Sequence, residues 1–329
     1  MDLPRMLAKC RELQWQPSDL DWSQRPRPMS RDDEIAIVQL FTDMAGIERL
    51  AGALFIEQER RAEDPTLKSI FTTFVKDEVR HAQVAQMLAD FYDVHHYRLY
   101  QQSVPLQRFT PAFLDALRFL GDDVANAYIT VGELILDIAL LRSINDYVHD
   151  GMSDQAMRLI NRDESRHIAI DYHMVEHYSS PEYVSKLAAR PAQSLQQRAR
   201  GAKAFGLMLY YGQPFFREVF FAPMERVDPS GHRLLEAFKR VQMVSAKPGV
   251  AERPFGAFML GLQNAYRNPL GRALLGGLLA RIAGMEPRFM EQIPTPSEME
   301  RARGLSFDEL AQEALAVKGE SSTSTSPGG

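Results

Sequence analysis

The chain has 329 residues, 45% of them hydrophobic and 25% charged, which is enough material for a large buried core in one domain or two. Its 38 Lys and Arg against 43 Asp and Glu leave a formal charge of -5, so the broad basic footprint of a nucleic-acid binder is missing. Cys10 is the single cysteine, which excludes intramolecular disulfides, zinc knuckles and iron–sulfur clusters.

Met1-Asp2-Leu3-Pro4-Arg5 lacks the apolar stretch of a secretory signal, and no run of about 18 residues is free of charge, Gly and Pro. The expectation is a soluble, cytoplasmic protein without a membrane span. Sustained β-alternation is absent, whereas helical periodicity fills most of 31–290.

In chain order, residues 1–29 carry Gln14-Trp15-Gln16-Pro17 and Arg25-Pro26-Arg27-Pro28, a proline density that predicts an extended arm. Ser30 followed by Asp33 resembles a capping box and opens a helix to about Ala62. Asp64-Pro65 is an N-cap with proline in the first turn, opening a second helix to about Tyr92. His95 to Gln107 is irregular, and a short helix follows over roughly 111–120. Gly121-Asp122-Asp123 caps a third long helix ending near His149, and Gly151 with Ser153 starts a fourth, to about Tyr178. The four long helices make a unit over 30–180.

Residues 181–318 read as a helical extension packed on that unit, interrupted at Pro214, Pro248, Pro254 and Pro269. The Ser-, Thr- and Gly-rich end, 319–329, reads as a disordered tail. The apolar segments Ala204–Met224 and Leu274–Met285 suit core helices, a channel cover or a homodimer face.

Two pentapeptides echo one another: Asp77-Glu78-Val79-Arg80-His81 and Asp163-Glu164-Ser165-Arg166-His167. Each places Glu and His three residues apart, so one carboxylate and one imidazole share a helix face. Glu48 and Glu133 lie in apolar stretches of the other two long helices, where a carboxylate is costly unless something pairs with it. The order Glu, Glu-x-x-His, Glu, Glu-x-x-His is that of a four-helix dimetal carboxylate site.

Hairpin geometry agrees, because residues equidistant from a turn lie level. The midpoint of Glu48 and Glu78 is position 63, beside the Asp64-Pro65 turn; that of Glu133 and Glu164 falls between 148 and 149, beside Asp150-Gly151. Four carboxylates carry four negative charges, which two divalent ions neutralise, and oxygen and nitrogen donors suit iron or manganese. Asp77 and Asp163 are positioned to accept the second ring N–H of the histidine on the opposing motif helix, with Arg80 and Arg166 neutralising them.

Thr130, Asp137 and Asp171 occupy the same inward faces, with Asp171 expected roughly level with Tyr128 and Asp137 with Asn161. They serve either as hydrogen bonds and a proton path around the site or as buried pairs without a catalytic role. Around Glu48, the small residues Ala45, Ala51 and Gly52 leave volume, and Phe41, Met44, Phe55, Phe71 and Phe74 wall it. The His95-His96-Tyr97 group reads as a surface loop.

These residues resemble the ferritin-like di-iron carboxylate superfamily, in its oxygen-activating branch: ribonucleotide reductase small subunits, related ligand-binding oxidases, acyl-carrier-protein desaturases and arylamine N-oxygenases. The resemblance spans about residues 12–178 and includes the arm Trp15-Gln16-Pro17-Ser18-Asp19-Leu20-Asp21-Trp22-Ser23. It implies an all-α, ferritin-like four-helix bundle. It also implies one iron at Glu48, Glu78 and His81 and a second at Glu133, Glu164 and His167, bridged by Glu78 and Glu164, with Mn/Fe occupancy as a variant.

Particular residues depart from particular members. Glu48 stands where reductase subunits usually have Asp, Ala85 stands where they carry a radical-bearing tyrosine, and their tyrosine-ended docking tail is missing. Ala51 with Tyr128 matches half of the pair found in the ligand-binding oxidases, and Ile160 replaces the extra histidine of the N-oxygenases. The resemblance therefore implies an O₂-dependent di-iron oxidase or oxygenase that oxidises a C–H, C–C or N–H position of an apolar organic substrate, served by a ferredoxin- or flavin-type electron donor. The alternatives are an acyl-carrier-linked desaturase, with Arg198, Arg200 and Lys203 on a docking face, or a non-catalytic metal-storage or radical subunit.

Overall fold

A computed structural model describes residues 1–191, 194–270, 272–273 and 287–319, apart from the side chains of Tyr128, Pro287, Arg288 and Lys318. All regular structure among the described residues is helical. The apolar segment 274–285 and the tail from 320 onward lie outside them.

The four long helices fall close to their sequence limits. Helix α2 (Arg31–Arg61) starts where the Ser30 hydroxyl accepts from the Asp33 N–H. Helix α3 (Pro65–Tyr92) starts where the Asp64 carboxylate accepts from the N–H groups of Thr66 and Leu67. The third rod is composite: α5 (Asp122–Glu133), a π-helical stretch Leu134–Leu141 and α6 (Arg142–Val148), closed by His149 at φ 52°. Helix α7 (Gly151–Ser179) follows, with Asp150 accepting from the Ser153 N–H. The four rods touch in a ring, α2 on α3, α3 on α7, α7 on α5 and α5 on α2. Gly52 lets α2 and α3 close up: a Cβ there would lie 3.3 Å from that of Glu78.

Three expectations need correction. The arm is not wholly extended, because Leu3–Glu12 forms helix α1, capped by the Asp2 carboxylate on the Arg5 N–H, and the prolines at 17, 26 and 28 lie beyond it. The short helix α4 is Val104–Leu117, not 111–120: Pro105 occupies its first turn, and Pro111 is inside it. Pro214 does not interrupt its helix either. Helix α9 (Leu195–Phe215) runs through it into a second π-helical stretch, Phe216–Phe221.

Of the remaining helices, α8 (Pro181–Ala188) packs on α7, α10 (Ala222–Val227) on α6 and α9 on α4. Helix α11 (His232–Ser245) packs on the first π-helical stretch, α12 (Pro254–Arg267) on α5 and Phe307–Gly319 on α7. The rod Asp122–Val148 is long and apolar enough to cross a membrane by length and composition, but 76% of its most apolar window is buried inside the protein, as in a core helix. Helix α9 leaves Arg198, Arg200 and Lys203 exposed together with Tyr210.

Candidate metal centre

Glu48 from α2, Glu78 and His81 from α3, Glu133 from the end of α5, and Glu164 and His167 from α7 meet inside the ring, none more than 3% exposed. Their donor atoms form two groups, each within 4.8 Å: Glu48, Glu78, His81 and Glu164 in one, Glu78, Glu133, Glu164 and His167 in the other. Glu78 and Glu164 belong to both. Level hairpins and three-residue spacings thus bring all six side chains together.

Both imidazoles turn Nδ1 inward. His81 Nδ1 is 2.9 Å from Glu164 Oε1, and neither atom has a partner in hydrogen-bond geometry. His167 Nδ1 is 2.8 Å from Glu164 Oε2 and 3.1 Å from Glu78 Oε1. Outward, His81 Nε2 is 3.2 Å from Asp163 Oδ2 and His167 Nε2 is 3.5 Å from Asp77 Oδ2. Each aspartate therefore orients the histidine of the opposing motif helix, and leaves Nδ1 as the free lone pair once Nε2 carries the proton.

Two arginines lock this outer layer. Arg80 bonds Asp77 and reaches Asp163 Oδ2 at 3.0 Å, while Arg166 reaches Asp163 Oδ1 at 2.7 Å and Asp77 Oδ2 at 3.3 Å. The arm adds two groups that sequence reasoning did not assign. The Trp15 indole N–H donates to Asp163 Oδ2 at 2.6 Å, and the Gln14 amide donates to Asp77 Oδ1 at 3.0 Å while accepting from Arg80. A large apolar ring among glutamines in an otherwise polar arm was the available signal, since a buried Trp needs an acceptor for its N–H.

Charge in the inner layer is unbalanced. Burial and the Glu164 charge push Glu48 up to about 7, and the same two causes hold Glu78 and Glu133 well above the usual carboxylate range. Burial would raise Glu164 as well, but His167 and His81 outweigh it and hold it well below. Burial pushes the imidazoles down, yet the facing carboxylates lift His81 to about 10 and His167 to about 9.

Both side-chain oxygens of Glu48 and Glu78, with Glu133 Oε2 and Glu164 Oε1, are buried with no hydrogen-bond partner. Orphaned carboxylate oxygens beside two inward-facing Nδ1 atoms form the donor set of an oxygen- and nitrogen-ligated metal ion. The residues fit two such ions, sharing Glu78 and Glu164.

The other singled-out residues divide. The Thr130 hydroxyl donates to the Asn126 carbonyl at 2.8 Å, and the Asn126 amide is held by Gln58 at 3.2 Å. Asp171 is fully buried, both its carboxylate oxygens lack a hydrogen-bond partner, and its backbone carbonyl accepts from Asn126 at 3.3 Å. Its observed neighbour on α5 is thus Asn126, and the side chain of Tyr128 lies outside the described residues. Asp137 is buried within the π-helical stretch.

Phe55 and Phe74 pack on the His167 ring at 5.1 and 4.1 Å between centroids, excluding water from that side. His95 instead pairs with Glu34 at 2.7 Å in the loop after α3, away from the centre. Comparison with protein-family models, with curated proteins and with solved structures finds no match to this chain.

Proposed function

We propose that the chain is a ferritin-like, O₂-dependent di-iron oxidase or oxygenase acting on an apolar organic substrate. The observation that carries the reading is the pair of overlapping Glu/His groups, buried and rich in orphaned carboxylate oxygens, with each histidine held from behind by an aspartate. The same residues support the ferritin-like part of this reading: one Glu comes from each of two helices and Glu-x-x-His from each of the other two.

When bound, two iron ions supply the O₂ reduction and electron transfer that side chains cannot. For a C–H substrate the balance takes up O₂, two electrons and two protons, and yields the hydroxylated product and water. The electrons come from a ferredoxin- or flavin-type donor. The chain's own groups hold the ligands in place. Asp163 and Asp77 keep a proton on Nε2 of His81 and His167, so that Nδ1 faces the centre as a base. Arg80 and Arg166 fix those aspartates as carboxylates, and Phe55 and Phe74 keep the site dry.

The test is to load the metal-free protein with Fe(II) under anaerobic conditions, count bound iron, and pulse with O₂ while recording absorbance. About two irons per chain and a transient visible band are expected. Failure to bind iron stoichiometrically, with wild type behaving like Glu78→Ala, would remove the metal-centre reading. Two irons with no reaction towards O₂ would remove the oxygenase reading alone.

A further inference from the structure

A second feature adjoins the candidate centre: a cavity between α5, α7, α11 and α12, with about 490 Å³ of empty space including its open mouth. Its inner end is made by Thr130 and Leu134, which flank Glu133 on the same rod and are 4% and 0% exposed. Its outer end is made by Asp123 and Arg253. From Asp123 to Leu134 the rod advances about 16 Å at helical rise, so the space is long. It is also thin, since the room wide enough to centre a water molecule is only about 40 Å³.

Lining chemistry narrows the occupant. The walls are apolar and mainly aliphatic, with Val131, Val175, Val241 and Val244 among them and Tyr178 and Phe255 as the aromatic members. The charged groups lining the cavity are Asp123 and Arg253, and they neutralise one another: Arg253 Nε donates to Asp123 Oδ2 at 3.1 Å, and its Nη2 bonds the same oxygen. A carboxylate head would have to displace Asp123 from Arg253 or give up its hydration without a partner, and both are costly. The inner end carries Thr130 and Asn126, uncharged and already bonded to one another, to Gln58 and to the Asp171 carbonyl, so no charge waits there for a ligand's charged head. Gly256 keeps the outer wall tight, because a Cβ there would lie 2.0 Å from the Val250 carbonyl oxygen.

We propose that this cavity binds an uncharged, unbranched aliphatic molecule, such as a medium-chain alcohol, threaded between α5 and α11 with its inner end at Thr130 beside Glu133. The assignment rests on the metal-centre reading for its meaning as a substrate site, but the binding itself does not require metal. It selects linear neutral aliphatics over fatty carboxylates and over branched or polycyclic compounds.

The experiment is a calorimetric titration of the full-length protein, with and without iron, by 1-decanol and by decanoate. Saturable binding of one decanol per chain is expected, about ten-fold or more tighter than decanoate. Val244→Phe, which fills the cavity from α11 away from every candidate ligand, is expected to weaken decanol by about ten-fold or more while leaving the bound iron unchanged.

A decanol analogue carrying a diazirine gives a check on unmodified protein, with cross-links expected on α5, α7, α11 or α12. Absent saturable binding, equal or tighter decanoate, unaltered decanol affinity in a folded Val244→Phe protein, or cross-links elsewhere would each overturn the assignment. Decanol binding without stoichiometric iron would remove the metal-centre reading and leave the cavity as a ligand site. Two irons without decanol binding would remove the cavity inference alone.

Discussion

The two halves of the candidate centre start from nearly the same pentapeptide and end in different surroundings. Around His81 the site is closed by the N-terminal arm: Trp15 lies over the ring at 6.4 Å between centroids and bonds the aspartate that holds it. Around His167 the cover is the apolar pair Phe55 and Phe74, and the glutamate of that half, Glu133, is the last α-helical residue before a π-helical stretch. Glu48 sits within an uninterrupted 31-residue helix. A repeated motif therefore fixes the ligand types twice, while neighbours remote in sequence give one half a polar cover and the other an apolar one next to a widened helix turn.

The largest expected effect sharpens what the halves share. Glu164 belongs to both donor groups and Glu48 to one. Glu164→Ala is therefore expected to abolish stoichiometric metal binding, and Glu48→Ala to leave about one ion per chain, as counted by metal analysis after equilibrium dialysis. Equal losses in the two variants would mean that the halves do not share Glu164.

The next effect is on pH. Glu48, His81 and His167 all have folded-state values above their ordinary ones, 4.5 for the carboxyl and 6.5 for the imidazoles. The unfolded chain thus releases these protons first as pH rises, and the metal-free fold loses stability, through Glu48 between 4.5 and about 7 and through the histidines between 6.5 and about 9 to 10. The depressed Asp163 and Glu164 contribute stability that is already fully present above their unfolded values, so they do not offset this loss. Denaturant midpoints of metal-free protein should fall from pH 6 to pH 9, whereas metal affinity should rise over the same window as metal displaces the protons. A flat metal-free profile would contradict the ionisation assigned to the centre.

The smallest effect separates the halves. Trp15→Phe keeps a ring over His81 but removes the donor to Asp163, which retains Arg80, Arg166 and His81. A loss of about 1 kcal/mol in denaturant stability is expected. Metal affinity should fall by about 10-fold or more at one of two distinguishable sites. Uniform weakening of both ions would mean that the arm supports the whole centre and not the His81 half.

Much of this was legible in the sequence because it is local. Ser30, Asp64 and Asp150 cap helices through contacts within three residues, and Glu-x-x-His shares a face by helical geometry alone. Level hairpins then brought Glu48 to Glu78 and Glu133 to Glu164. What failed was also informative. The sequence predicts an interruption at Pro214 and a helix beginning only near 111, yet the chain is helical on both sides of Pro111 and Pro214, because the apolar side chains around them, Phe109 and Phe113 in one and Phe215 and Phe220 in the other, are buried in the core. The prolines at 17, 26 and 28 hid a helix over Leu3–Glu12, which ends before the first of them.

By itself, the sequence determined the helical class, the ends of the four long rods, and six ligand-type side chains with their two opposing aspartates, since each follows from spacing along one chain. Tertiary structure decided the rest: that Trp15 reaches Asp163 across 148 residues, that Gln58 holds Asn126, and that a thin apolar cavity opens beside Glu133. Those depend on how separate helices approach one another, and side-chain volume and buried polar pairing set that approach without leaving a period in the sequence.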